Sequence, residues 1–487
     1  MQRRHSVPST PRRLLRLLLV VVAMLAVSGS LTWAASPAAG ALFPTTATNT
    51  TSSAIQMDSS GGMHVAYSTD PAYQATYAYC APTSDCARAT NWVQAIFQNN
   101  VHEVQIALTS QGHPRMLLTI DDYGDPNHSN GLYDTYWYAQ CDTGCTNSNN
   151  WATTFISGTA DIASNLSPAG KHFFALDPQG RPRFIFGPSY GIDSNFQSYS
   201  WMNYATCDSA CTATGSIDPA TGLPSPTNWS FGKINVTLTQ PALVFTAASQ
   251  PRVMRFTAAN DGQGNDIVSY SACDAGCLSS RNWGTTMVGQ PGLANEEVVS
   301  LRLDSHDRPR IALYFLSAEA LYGWCNTNCL TSTKWAAVPV VPTAEDGGDP
   351  DLQLDSQDQP RIAFHSIVNP PGGVGVGLGY AWCDTNCESP QASFQRVLVE
   401  DSNPLNSDWP LVRPANCTYA SWLAGYLPSL ALDTSGNPRI ASDSLFVASG
   451  CPGGIEDLHT GVRVAYFNQG ATSSSGDHHV FVSMVRR

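Results

Sequence analysis

One phrase recurs seven times along the 487 residues, and its spacing constrains the fold more than any other feature of the chain. It reads LDSHDRPRIALYF from Leu303, LQLDSQDQPRIAFH from Leu352 and LALDTSGNPRIAS from Leu430. Looser copies begin at Gln56, Ala107, Ala175 and Val244. Counted between Asp58, Thr109, Asp177, Thr246, Asp304, Asp355 and Asp433, the copies stand 51 to 78 residues apart. A period of this size belongs to chains made of repeated supersecondary units, each too small to bury its own apolar face.

Each copy alternates apolar and polar residues on both sides of an Asp/Ser/Gly/Asn cluster, which is the pattern of a β-hairpin. A proline opens the second strand in six copies, where no ladder N–H is needed. An arginine follows it: Arg115, Arg183, Arg252, Arg310, Arg361 and Arg439. Because the residue belongs to the repeat, it reads as a cross-hairpin partner of the turn aspartate or a solvated turn residue, ahead of a cluster for an anionic substrate. A third strand follows (LGYAWC from Leu378), then a turn holding two cysteines, then a fourth strand (NWVQAIF from Asn91). Four short strands per repeat, seven times, without helical periodicity, predict an all-β chain: a seven-bladed β-propeller of four-stranded blades with disulfide-clipped turns. The propeller is expected over residues 54–487 as one domain.

Six cysteine pairs occupy equivalent places: Cys80/Cys86, Cys141/Cys145, Cys207/Cys211, Cys273/Cys277, Cys325/Cys329 and Cys383/Cys387. The seventh repeat has Cys417 before it and Cys451 within it. Zinc needs four converging ligands, and each pair offers two without a matching histidine pair. The N-terminus favours disulfides. Arg3, Arg4, Arg12, Arg13 and Arg16 precede the apolar run from Leu17 to Val27, and small residues follow. This is the pattern of a secretory signal peptide over residues 1–34, with cleavage after Ala34 or as late as Ala41. Its apolar run is too short for a membrane span of about 20 residues. Secretion or display at the cell surface places the cysteines in an oxidising space. Seven disulfides are expected, six local and one joining Cys417 to Cys451. The local bridges close short loops and read as clips against fraying of the turns. Residues 35–53, rich in Thr, Ala, Ser and Pro, read as a flexible leader.

Removing the signal leaves 38 acidic residues against 20 basic ones. Such a charge excludes nucleic acid as a partner. Up-and-down blades put the Asp/Pro turns and the cysteine turns at one end of the ring and the irregular loops at the other. Length and variability in loops on a rigid scaffold are where binding resides. Asp121, Asp122, Asp125 and Asp134, in a loop with Gly124 and Gly131, supply the oxygens that calcium takes; no cofactor is otherwise required. The segments EDGGDPD from Glu345 and IEDLH from Ile455 add carboxylates around the mouth of the ring. Tyr123, Tyr190, Phe196, Trp409 and Trp422 are the aromatic residues suited to a sugar or a peptide. Two motifs fail on context. GPSYG from Gly187 lacks the helix that a nucleophile elbow needs, and GGVGVGLG from Gly372, without a closing Lys or Ser/Thr, reads as a glycine-rich loop.

No complete catalytic constellation is found. The chain therefore reads as a secreted, non-catalytic module binding an extracellular glycan or protein. The alternatives are a carbohydrate-active hydrolase or lyase using loop carboxylates, and a structural cell-surface protein. The phrase D-x-x-G-x-P-x-hydrophobic-A resembles repeats of secreted bacterial β-propeller proteins and, more distantly, NHL-type blades. It is also similar to the Asp-box of sialidases, but Pro-Arg stands where the Asp-box ends in an aromatic residue. The resemblance implies the propeller. Sialidase-like catalysis would need arginines on the loop end, whereas the repeat arginines belong to the turn end.

Overall fold

A computed structural model describes residues 39–47, 53–69, 73–121, 134–159, 172–192, 198–219, 222–234, 239–258, 266–288, 299–315, 319–341, 346–368, 375–401, 419–449 and 457–466. These residues form seven four-stranded antiparallel sheets and one two-stranded hairpin. The innermost strands are Ser53–Met57, Val101–Leu108, Phe174–Leu176, Thr239–Phe245, Val299–Leu303, Asp346–Leu354 and Tyr419–Leu432. They touch one another in that order, and the last touches the first. The chain is a seven-bladed β-propeller. Blades 1 to 6 span residues 53–98, 101–159, 174–234, 239–287, 299–339 and 346–401. Strands are counted outward from the channel.

All seven inner hairpins turn through five residues, and the repeated phrase explains why. The N–H of the first residue donates to the carbonyl of the fifth, and the N–H of the fourth to the carbonyl of the first. The fourth residue must adopt the left-handed region. Glycine takes this place at Gly61, Gly112, Gly180 and Gly436, while Ser249, Asp307 and Asp358 adopt it at φ 60–62°. Where the first residue is Asp, its Oδ1 accepts the N–H groups of the third and fifth residues, as Asp304 does from His306 and Arg308. Its Oδ2 remains for the arginine after the proline.

That arginine joins the two turns of its blade. Arg310 donates to Asp304 Oδ2 at 2.7 Å and to the Cys325 carbonyl at 3.2 Å. Arg361 does the same with Asp355 at 2.6 Å and Cys383 at 3.0 Å. Where the turn begins with Thr, no turn carboxylate is available and the guanidinium pairs with the cysteine turn: Arg115 with Asp142 and Arg252 with Asp274, Arg252 also donating to Gln250 Oε1 of its own hairpin at 3.1 Å. In blade 1, His64 takes the arginine's place, bridging Asp58 Oδ2 at 3.1 Å and the Tyr77 hydroxyl at 2.7 Å. The repeat arginines are thus internal ties.

The six local disulfides are formed as expected: Cys80–Cys86, Cys141–Cys145, Cys207–Cys211, Cys273–Cys277, Cys325–Cys329 and Cys383–Cys387, with Cα separations of 5.6–5.9 Å. They clip the turns as expected, and burial gives them a further part in the packing. The first cysteine of every pair is buried; of the second, Cys86, Cys211 and Cys387 are buried and Cys145, Cys277 and Cys329 half-buried. Each of these six belongs to or packs against an apolar cluster, because the turn folds its sulfur inward over the blade edge. In five blades the indole of Trp92, Trp151, Trp229, Trp283 or Trp335 donates to the carbonyl of the second cysteine at 2.8–2.9 Å. In the later blades the same ring packs on a tyrosine of the preceding blade, Trp229 on Tyr138 at 5.6 Å and Trp335 on Tyr270 at 5.2 Å between centroids. Phe394 does this against Tyr322 in blade 6. The cysteine turn therefore fastens blade to blade. Blade 3 departs from the short cysteine turn of the other blades. Between Cys211 and Trp229 it inserts the hairpin Thr214–Ile217 and Pro224–Pro226, which lies against the outer strand of blade 2, Ala152–Thr159.

Three further expectations are corrected or left open by the structure. Residues 35–53 are not simply a leader. Ala39–Ala47 forms the outer strand of blade 7, pairing with Asp457–Tyr466 from Ala39 opposite Tyr466 to Phe43 opposite Val462. Among the described residues blade 7 has three strands after residue 418, so without a further partner its third strand would present an open row of N–H and C=O groups. The N-terminal strand satisfies that row and closes the ring. The glycine-rich segment is strand 3 of blade 6 from Gly375 to Trp382. Gly379 is required by close packing, since a Cβ there would lie 2.3 Å from the Phe364 ring. Cys417 and Cys451 lie outside the described residues.

Candidate functional site

Inner strands of a propeller are edges, and their free N–H groups need acceptors. In half of the ring these come from the preceding blade. Ser300 Oγ accepts the Leu352 N–H at 3.0 Å, Asp351 Oδ2 the Leu430 N–H at 2.7 Å, and Ser429 Oγ the Ile55 N–H at 3.2 Å. Blades 5, 6, 7 and 1 are stitched together in this way.

Asp351 also gathers donors from further around the ring. His172 Nε2, at the entry to blade 3, donates to Oδ1 at 2.8 Å, Ser300 Oγ at 2.9 Å and Arg302 Nη2 at 3.4 Å. Arg302 Nε continues to Gln353 Oε1 at 3.1 Å, and Gln353 Nε2 to the Leu430 carbonyl at 2.7 Å. Blades 3 and 6 are not neighbours, so the His172–Asp351 pair joins separate parts of the ring. Burial alone would raise the Asp351 carboxyl, but His172, Arg302 and the Leu430 N–H together hold it well below the usual carboxylate range. Burial lowers the Arg302 guanidinium, opposed by Asp351. A permanently ionised carboxylate that accepts four donors is an anchor, and it does not exchange protons near neutral pH.

A second polar region lies between blades 6 and 7. Glu400 and Arg463 form a two-pronged ion pair at 2.9 and 2.7 Å with both side chains buried. His365 stacks on Tyr426 at 4.3 Å. Here, as in blade 4, the inner strand bulges at an X–Pro step: Gln240–Pro241, Asp349–Pro350 and Leu427–Pro428. Proline tolerates a bulge because no ladder N–H is lost there. Asp349 and Leu427 have φ of 51° and 44°, and the Leu427 N–H donates to Asp349 Oδ2 at 3.3 Å.

Of the aspartates and aromatic residues singled out from the sequence, Asp121, Asp134, Tyr190 and Trp422 are described, and their strands place them toward the loop end. Asp121 and Asp134 are directly opposed at the tips of strands 2 and 3 of blade 2, whereas Asp122, Tyr123 and Asp125 lie outside the described residues. Phe196 and Trp409 also lie outside them. Tyr190 is opposite Ser200 in blade 3, and Trp422 opposite Phe446 in blade 7. These two hairpins run further than the others: second strands reach Pro182–Ile192 and Pro438–Ser449, against Pro309–Phe315 in blade 5. Close to the blade 3 hairpin, Lys233 Nζ stands 3.6 Å above the Trp201 ring. The bonded cysteines belong to the scaffold and not to this site: Cys86, Cys145, Cys211, Cys277, Cys329 and Cys387 all stand on the turn end, each spent in its bridge. Sequence reasoning placed Asp351 within an acidic rim; it is fully buried at the channel instead. It missed His172, Ser300 and Arg302. Among the described residues, one trio is close enough to share a cation: Asp304, His306 and Asp358 on the turn end. Its carboxylates are engaged by Arg308, Arg310 and Ser305.

No family model and no curated protein sequence matches the chain. Solved structures share its path at low identity. A protein of unknown function from Dyadobacter fermentans is 8% identical with a TM-score of 0.42, over 88% of this chain and 98% of that one. A lectin of Aleuria aurantia in complex with Fucα1-6GlcNAc is 12% identical with a TM-score of 0.37, over 72% and 96%. The NanB sialidase of Streptococcus pneumoniae is 10% identical with a TM-score of 0.35, over 86% and 69%. None of them assigns a residue or a ligand to this chain.

Proposed function

We propose that the protein is a secreted, non-catalytic binding module that takes an extracellular glycan or protein on the loop end of the ring. The observation that carries this reading is the chemical difference between the two ends. On the turn end, aspartates, arginines and cysteines of successive blades are consumed in tying the scaffold together. On the loop end, the links vary from the short step between Phe315 and Glu319 to the long one between Asp121 and Asp134, and two extended hairpins carry Tyr190 and Trp422. Aromatic faces beside polar groups suit saccharides and peptides alike. No described helix is long and apolar enough to cross a membrane, and the six disulfides suit an oxidising compartment.

Glycan-array binding is the test. A saccharide ligand should be bound by the parent and lost on Tyr190→Ala or Trp422→Ala, with the ligand recovered uncut. Chain cleavage of a polysaccharide, abolished by substituting loop carboxylates, would replace this reading by the hydrolase or lyase alternative.

A further inference from the structure

Strand 2 of blade 4, Pro251–Ala258, carries two arginines. Arg252 is the repeat arginine. Arg255 has no counterpart, because the same position holds Tyr67, Leu118, Phe186, Leu313, Phe364 and Ser442 in the other blades. Two residues earlier, Val253 packs with Ile185, Met202, Tyr204 and Ile234 of blade 3. The two-residue period of a strand puts Arg255 on that same face. It is fully buried, and among the described residues none of Nε, Nη1 and Nη2 has a hydrogen-bond partner. The facing inner strand breaks register at this level, between Thr239 and Ala242.

Arg310 shows how this fold treats a guanidinium that it keeps for itself. It is equally buried, yet its Nη atoms donate to Asp304, Glu388, Asn326 and two carbonyls. An unpaired buried cation is strongly unfavourable, and six other blades show that the position does not require one. Burial, with nothing to offset it, brings the Arg255 guanidinium down to about 9, so it remains charged at neutral pH.

We infer that Arg255 is the charged base of an anion-binding site between blades 3 and 4, taking a carboxylate or sulfate group. A guanidinium presents a planar fork of N–H donors that matches two oxygens of one such group. Two sources share this chemistry, a free oxyanion and the acid group of an acidic saccharide. The inference does not depend on the loop end binding a glycan.

The test is thermal melting of the oxidised protein in sodium chloride, sodium sulfate, sodium glucuronate and glucose at matched ionic strength, with calorimetric titration of glucuronate and sulfate alongside. At a hundredfold excess over Kd, sulfate or glucuronate should raise the parent's Tm by about 3 °C beyond glucose. Arg255→Leu and Arg255→Met should lose that increment and, without the anion, melt above the parent. Tighter binding of glucuronate than sulfate identifies a saccharide acid; the reverse identifies a free oxyanion. If the parent binds neither anion saturably in the calorimeter, or if the variants respond as the parent does, the site does not exist. The calorimetry on the parent decides even if both variants misfold.

Discussion

Asp351 concentrates the residue-scale logic of the molecule, because a single carboxylate accepts from blade 3, blade 5 and blade 7. Asp351→Asn should destabilise the ring by about 3–5 kcal/mol, the range for breaking a buried pair, as read by denaturant unfolding. The carboxylate releases its proton more readily in the folded chain than in the unfolded one, so its contribution is complete above pH ~4 and fades only as the pH falls further, toward the depressed folded value. The stability gap between parent and Asp351→Asn should therefore stay constant from pH 7 to about 4 and narrow only in stronger acid. A gap that already narrows between pH 7 and 5 would overturn the assignment of this stabilisation to the Asp351 carboxylate. The turn residues follow the same physics with local partners. Asp304→Ala removes the acceptor of two backbone N–H groups and of Arg310, and should cost about 3 kcal/mol or more. The contrast explains what the sequence could reveal. Asp304 and Arg310 are six residues apart and recur with the repeat, so their pairing is readable. Asp351 meets His172 across 179 residues, a juxtaposition created only by ring closure. Arg255 was readable as a pattern break, since a second arginine interrupts an otherwise apolar strand.

At the scale of elements, the fasteners between blades are the tryptophans that start the outer strands. Trp229→Ala removes both a hydrogen bond to the Cys211 carbonyl and an edge contact with Tyr138, and should cost about 3–5 kcal/mol in the same unfolding measurement. Strand positions, the proline starts and the turn chemistry were legible because local rules and the repeat agree. The pairing of the six local cysteine bridges was legible for the same reason, but the inward lean of Cys86 or Cys387 was not, since burial depends on the neighbouring blade. Two elements were not legible. The glycine-rich strand of blade 6 has the composition of a loop, and only the approach of Phe364 to Gly379 explains why side chains are excluded. The X–Pro bulges look like strand ends until the register on either side is known. The long hairpin of blade 7 supports the remaining disulfide. Its last described pair is Tyr419 opposite Ser449, two residues short of both Cys417 and Cys451. Non-reducing peptide mapping should recover a Cys417–Cys451 peptide; a free thiol at either position would sink the pairing.

For the whole molecule, the decisive feature is the strand Ala39–Ala47. Six blades follow one another along the chain as the repeats indicate, but the seventh is assembled from both ends, and composition alone made its first part look like a leader. Cleavage after Ala34 leaves this strand intact, whereas cleavage after Ala41 removes three of its residues. N-terminal sequencing of the exported protein should find a start upstream of Ala39. Deleting residues through Ala47 should lower Tm by several degrees and expose the edge of Asp457–Tyr466 to self-association, seen as oligomers in size-exclusion chromatography. A chain is made from its N-terminus, so the first strand of the propeller must wait for the last. Ala39 and its partner Tyr466 are separated by nearly the whole repeat region. At roughly 5–20 residues per second, synthesis leaves that strand unmatched for about 20 to 90 s. During that interval the blades stand as an open arc with an unpaired strand at its leading end. A holding factor, or delivery across a membrane in an extended state, would guard this chain at the moment when it is most prone to pair with a neighbouring copy of itself.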